Sequence, residues 1–223
     1  MNLNKHSAYF NPVSDVTKPV HIIGCGAIGS HLAELLARLG VDNIHLYDFD
    51  TVEQKNIANQ MFTEEDVGRM KATAVANMCE NINPAIKIEI HEGRADKNTR
   101  LSGYVFLAVD NIDVRREIVE ANQYNRTILA MFDFRMRLTD AQHYAADWSN
   151  RDMIQNLLNT MQFTTEEAKA ETPVNACGGT LSIIPTIKVI TSLGISNFIN
   201  FIKKNEIKKL ILIDAFDYTI DAF

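Results

Sequence analysis

Residues 20–30 read Val-His-Ile-Ile-Gly-Cys-Gly-Ala-Ile-Gly-Ser, a Gly-x-Gly-x-x-Gly string between an apolar run and a stretch with helical spacing. Such a string can cradle a phosphate. Gly24 permits the tight turn, Gly26 lets the backbone approach the anion, and Gly29 lets the helix lie close to the sheet. Ala27 then opens the helix, whose first N–H groups and positive dipole end face the ligand. The string alone is weak evidence. The strand expected before it and the helix expected after it are what favour a nucleotide.

The residues that follow bear on which nucleotide. Asp48 closes the second apolar run, where a dinucleotide enzyme places the acid that holds a ribose. It is followed by Asp50, Asn56, Asn59, Gln60 and then Gly68-Arg69-Met70-Lys71. A hydride-transfer enzyme has no need of amides and a lysine gathered there, whereas a triphosphate does. A later apolar run ends in Val109-Asp110-Asn111. Read singly, Lys71 suits a solvated helix face and Asp110 suits the cap of a helix starting near Ile112.

Taken in order, these segments resemble the ubiquitin-activating-enzyme-like adenylyltransferases, the ThiF/MoeB family. The matches are Gly24–Gly29, Asp48-Phe-Asp-Thr-Val52, Asn56-Ile-Ala-Asn-Gln60, Gly68-Arg-Met-Lys71, and Val109-Asp-Asn111 followed by Arg115. Met78–Pro84, and later Ala176-Cys-Gly-Gly with Pro185, extend the likeness to a crossover segment and a closing helix. The resemblance implies an enzyme that uses ATP and Mg²⁺ to activate the C-terminal carboxylate of a small ubiquitin-like carrier protein or peptide. It implies nucleotide binding by Gly24, Gly26, Ala27, Gly29, Asp48, Asp50, Asn56, Gln60, Lys71 and Asn111. Asp48 would hold the ribose, Asn56 and Gln60 the phosphate path, Lys71 the phosphate charge and Asp110 the metal. Cys177 lies where some members carry a thiol that accepts the carrier, and members are commonly homodimers.

The sequence departs from that pattern in three places. Asn59 stands where the family has an arginine, residues 1–19 contain no arginine, and the paired Cys-x-x-Cys motifs are absent. No structural zinc is therefore expected. The lost cations leave Lys55, Arg69 and Arg115 as possible substitutes, and a non-catalytic subunit that binds nucleotide or carrier as the rival reading. His21, His31, His45 and His143 show no ligand spacing, so no metal is assigned to them. Cys25 reads as a small residue fitted to close packing. Asp133, Arg135, Arg137 and Asp140 read as a charged strip on a solvated face or a subunit or carrier contact.

The elements that must position these residues follow from hydrophobic periodicity. Val20–Gly24, Asn43–Asp48, Ile86–His91, Tyr104–Val109 and Thr127–Phe132 read as strands. Ala27–Leu39, Asp66–Asn81 and Ile112–Tyr124 read as the helices between them. Residues 138–147 and Leu210–Asp214 suggest further strands, with helical stretches at Met153–Leu158, Glu166–Ala170 and from about Ile183 to Lys203. The alternation predicts an α/β, Rossmann-like, doubly wound and mostly parallel sheet flanked by helices, with antiparallel C-terminal strands. One domain over 1–223 is expected, with a polar lead-in at 1–18 and an irregular crossover at about 150–180. A formal charge of −6 over 223 residues argues against a nucleic-acid coat. No apolar stretch reads as a membrane span or signal, and three scattered cysteines suit a reducing cytoplasm.

Overall fold

The computed structural model describes residues 1–170 and 181–223. Strands β1 (Val20–Ile23), β2 (Asn43–Tyr47), β3 (Lys87–His91), β4 (Gly103–Leu107), β5 (Ile128–Met136), β6 (Asp140–Asp147), β7 (Leu210–Asp214) and β8 (Thr219–Ala222) form one sheet. Their order is β3-β2-β1-β4-β5-β6-β7-β8. Strands β1 to β5 are parallel, and β5 to β8 pair antiparallel. The doubly wound sheet with antiparallel C-terminal strands is therefore present as the sequence implied.

Every residue of β1 and β4 is buried, as expected where helices cover both faces of a parallel sheet. On one face Val20, Ile22, Ile44, Leu46 and Phe106 pack with helices α2 (Ala27–Leu39), α3 (Lys71–Ile82) and α7 (Ile184–Lys204). On the other, Ile23, Tyr47, Val105 and Leu107 pack with α4 (Ile112–Asn122) and α5 (Arg151–Asn159). The chain leaves β1 towards β2 and β3, then returns to β4 on the opposite side. The carboxyl ends of β1 and β4 therefore flank the switch point, where sheets of this kind bind ligands.

Local boundaries differ from the periodicity in instructive ways. The helix expected from Asp66 begins at Lys71, because residues 64–66 form a separate 3₁₀ turn held by reciprocal Thr63–Asp66 bonds. Gly68, at φ +88°, reverses the chain there, and a bridge between Thr51 and Met70 holds the following residues against the loop after β2. Strand β5 continues through Asp133 and Arg135 to Met136, well past the apolar run that marked it. The lead-in contains a short helix, α1 (Pro12–Asp15), another short helix, α6 (Thr165–Ala170), follows α5, and β8 is an additional edge strand.

The α7 face of the sheet is aromatic, with Phe106, Phe132, Phe134 and Phe198 fully buried. Gly194 of α7 makes room for this cluster, since a Cβ there would lie 2.2 Å from Cε1 of Phe134. Alanine at 194 gains about 1 kcal/mol of helix propensity, which the overlap with a packed ring outweighs. Gly194→Ala is expected to destabilise the protein by about 1–2 kcal/mol in urea unfolding; an unchanged midpoint would show that Phe134 is not held against α7.

Candidate functional site

The sequence-predicted residues converge on the carboxyl edge of β1, β2 and β4. The Gly24 N–H donates to the Tyr47 carbonyl at 2.8 Å, and the Ala108 N–H donates to the Ile23 carbonyl at 2.8 Å. The turn is thereby threaded between two strand ends. Gly24 has φ +95°, and a Cβ on it would sit 3.0 Å from the Ala108 and Val109 backbone. A Cβ on Gly29 would lie 1.8 Å from the Gly24 carbonyl oxygen, so these two glycines are required by the fold itself.

Gly26 is different. It has ordinary φ −79° and is the N-cap of α2, with no side chain capping the helix. The nearest atom to a Cβ built there is Gln60 Oε1 at 4.0 Å. That oxygen is buried and, among the described residues, has no hydrogen-bond partner. The first turn of α2, including Ala27, thus offers uncapped N–H groups beside this unpaired side-chain oxygen. Both features suit a polar ligand at this position.

Asp48 locks the turn from the other side. Its Oδ2 accepts the Cys25 N–H at 2.6 Å and its Oδ1 accepts the Asp50 N–H at 2.9 Å. Burial pushes the Asp48 carboxyl up, opposed by these two N–H donors and by Lys71. Lys71 is only 8% exposed and donates from Nζ to Asp50 Oδ2 at 2.8 Å. It is therefore a positioned buried cation, unlike the solvated lysine that its place on a helix would suggest in isolation. Asn56 is buried, and its Oδ1 accepts the Glu53 N–H at 2.8 Å. Ser30, which the sequence reading passed over, accepts the Met61 N–H at 3.1 Å and ties the loop carrying Gln60 to α2. A serine inside a helix gives no sequence signal of such a role.

Asp110 lies just beyond the β4 end that touches Gly24 and is exposed. The cap of α4 is Asn111, whose Oδ1 accepts the Asp113 and Val114 N–H groups at 2.9 and 3.1 Å and the Thr165 hydroxyl at 3.1 Å. The capping role open to Asp110 from sequence is thus filled by its neighbour, and Asn111's side-chain oxygen is committed to the fold.

Two other expectations change. Asp133 is fully buried rather than part of a solvated strip, and it pairs with both Arg115 and Arg135. Arg115 also donates to the carbonyls of Leu107 and Val109, so it braces the end of β4 and is no substitute phosphate ligand. Burial lowers the Arg115 pKa, against the opposing pull of Asp133. Lys55 pairs with Glu53 at 3.0 Å and Arg69 with Asp66 at 3.3 Å. Asn59, in the place of the expected arginine, donates to Ser182 Oγ. Cys25 is fully buried, and burial raises its thiol well above the ordinary range, in keeping with a packing role. Cys177 lies outside the described residues.

The sequence profile described as the ThiF family matches residues 16–222. The chain belongs to the ThiF family. Ubiquitin-like modifier-activating enzyme 5 of Dictyostelium discoideum is 34% identical over 119 residues, covering 46% of this chain and 31% of that protein. The protein of the same name from Drosophila willistoni is 35% identical over 96 residues, covering 43% and 21%. This ThiF-family chain therefore spans about a third or less of the length of these relatives. The crystal structure of E. coli MccB with ATP superposes with a TM-score of 0.74 at 21% identity, over 99% of this chain and 68% of that one. PaaA gives 0.71 at 17% identity, over 93% and 64%. At such identities the likeness establishes the shared ThiF fold.

Gly29 and Gly26 are expected to respond differently to a methyl group. Gly29→Ala is expected to destabilise the fold by roughly 2 kcal/mol or more, because backbone must move to admit the methyl. Gly26→Ala is expected to leave the melting temperature nearly unchanged while weakening ATP binding at least tenfold. Thermal unfolding checks the stabilities and calorimetric titration with ATP checks the affinity; wild-type affinity in Gly26→Ala would remove the ligand from the glycine turn.

Proposed function

We propose that this chain is an ATP-dependent adenylyltransferase that activates the C-terminal carboxylate of a small ubiquitin-like protein or peptide. The observation that carries the reading is the uncapped start of α2 at Gly26, facing the buried Gln60 Oε1, which has no hydrogen-bond partner among the described residues. Rotating the Gln60 amide by a half-turn presents its N–H₂ to a phosphate oxygen. Family membership supports ATP as the nucleotide, as do the crystal structures of E. coli MccB with ATP and with MccA. The relatives' name, ubiquitin-like modifier-activating enzyme, supports a small protein as substrate.

In this reading the phosphates rest on the N–H groups that open α2. Asp48, Asn56 and Gln60 flank the nucleotide, and Lys71 turns its charge from Asp50 towards the phosphates. A carboxylate oxygen of the carrier attacks the α-phosphorus, the bond to the bridging oxygen breaks, and acyl-adenylate and pyrophosphate result. Two anions must meet in this step, so positive charge near the phosphates lowers the barrier directly. Asp110 offers an oxygen donor that takes no part in capping α4 and suits Mg²⁺. When bound, Mg²⁺ screens the triphosphate and the departing pyrophosphate. The second copy of a homodimer would find an exposed apolar edge at Tyr218, Ile220 and Phe223, around β8.

A second reading is a subunit that binds nucleotide or carrier without turnover. It is favoured by Asn59, a neutral residue bonded to Ser182 where the family places a cation, and by the burial of Arg115. Pyrophosphate exchange into ATP, measured against small proteins ending in Gly-Gly and short peptides, separates the two. Exchange with a cognate carrier is expected, and Lys71→Ala is expected to reduce it roughly 10- to 100-fold, the worth of one charge-assisted contact. ATP binding without exchange across the panel would favour the non-catalytic subunit.

A further inference from the structure

Sheet register assembles a histidine cluster that sequence spacing conceals. His21 of β1 lies beside His45 of β2, which lies beside Glu89 of β3. One pleat further along, on the same face of the sheet, Tyr47 lies beside His91. His45 Nδ1 and His91 Nε2 face each other at 3.5 Å. Glu89 places Oε2 at 3.4 Å from His45 Nδ1 and Oε1 at 3.3 Å from His91 Nε2. We propose that His45, Glu89 and His91 form a binding site for one divalent, zinc-like transition-metal ion.

The separations are the first support. Good hydrogen bonds between such groups run from about 2.7 to 3.2 Å, shorter than all three distances found here. Ligand atoms around a tetrahedral ion, each about 2.0–2.1 Å from the metal, lie about 3.3–3.4 Å apart. Each nitrogen therefore stands near the spacing of a coordination shell from the other and from one carboxylate oxygen, and one ligand atom from each residue lies within 4.8 Å of the others. Two imidazole nitrogens facing each other also need a cation or a proton between them, since their lone pairs otherwise repel.

Ring orientation is the second support. The His45 ring stacks on His21 with centroids 4.5 Å apart, and the His91 ring stacks on Tyr47 at 4.1 Å with only 3° between planes. His21 is itself fixed, with Nδ1 3.0 Å from the Tyr47 hydroxyl and Nε2 accepting the Ser102 N–H at 3.4 Å. With both ring nitrogens engaged, His21 serves as a support rather than a third imidazole ligand, and burial holds its pKa at about 3. Burial likewise lowers the pKa of His45, favouring the neutral ring a metal needs. The stacked rings supply the outer packing that fixes ligand direction in metal sites.

The donor set selects the ion. Two imidazoles and one carboxylate suit Zn²⁺, Co²⁺ or Ni²⁺ better than Mg²⁺ or Ca²⁺, which prefer oxygen throughout. The Glu89 side chain is 62% exposed and that of His91 is 31%, so the remaining positions open to solvent and take water. This site lies on β2 and β3, apart from the Cys-x-x-Cys pattern whose absence led the sequence reading to expect no zinc. It stands independently of the proposed nucleotide chemistry.

The test is titration of the untagged, metal-free chain with Zn²⁺ and with Co²⁺, at pH 7.5 and without nucleotide. One ion per chain is expected, with a Co²⁺ visible spectrum typical of nitrogen and oxygen ligands. His45→Ala and His91→Ala should each weaken binding at least tenfold, Glu89→Gln should weaken it less, and circular dichroism should show all three folded. His31→Ala, which removes a ring bonded to the Ala27 carbonyl, should leave the Zn²⁺ affinity unchanged. Absence of stoichiometric binding would overturn the proposal. So would affinity unchanged in His45→Ala and His91→Ala, or a sulfur-to-cobalt charge-transfer band placing the ion on cysteine.

Discussion

The closest constraint in this protein is the passage of the glycine turn between the ends of β2 and β4, with α2 laid directly over it. No side chain has room at Gly29, where a methyl would collide with the Gly24 carbonyl. That contact sets the height of α2 above the sheet. It also aims the uncapped first turn of α2 across the switch point, and everything assigned to the nucleotide takes its position from there. Asp48 holds the turn through the Cys25 N–H, and Ser30 of α2 holds the loop that carries Gln60.

Charge is divided sharply beneath this surface. Asp133 has no exposure and is neutralised by two guanidiniums, one of which, Arg115, also satisfies the carbonyls of Leu107 at the end of β4 and of Val109 just beyond it. A buried carboxylate without such partners would cost several kcal/mol, so neither arginine is available to a ligand without loss of stability. Lys71 has a looser attachment, since its partner Asp50 has a half-exposed side chain. A cation held by one partly solvated carboxylate can be redirected to an arriving phosphate. This contrast is why phosphate neutralisation is assigned to Lys71 rather than to Arg115 or Arg135.

Much of the architecture was legible in the sequence because it rests on local periodicity. The apolar runs of β1, β2 and β4 and the spacing of α2 need only their own residues to be recognised. The glycine turn, Asp48 and Lys71 stood out because their types and order match a known chemistry. What escaped depended on contacts between distant segments. Asp133 in a strand reads as exposed until Arg115 and Arg135 are placed beside it. The choice of Asn111 over Asp110 as helix cap turns on one residue of register, and both types cap well. The short strand β8 is exposed at all four residues, so it has no alternating pattern to betray it. His45 and His91 become neighbours only through the β2–β3 register, which no spacing along the chain records.

The central claim is that ATP rests its phosphates on the opening turn of α2. The most direct measurement is the backbone amide NMR spectrum of the labelled chain, recorded during titration with ATP and Mg²⁺. The account predicts that the Cys25, Gly26, Ala27 and Ile28 amides shift most and saturate together. Saturable binding that leaves these amides unmoved, with its largest shifts elsewhere in the chain, would contradict it.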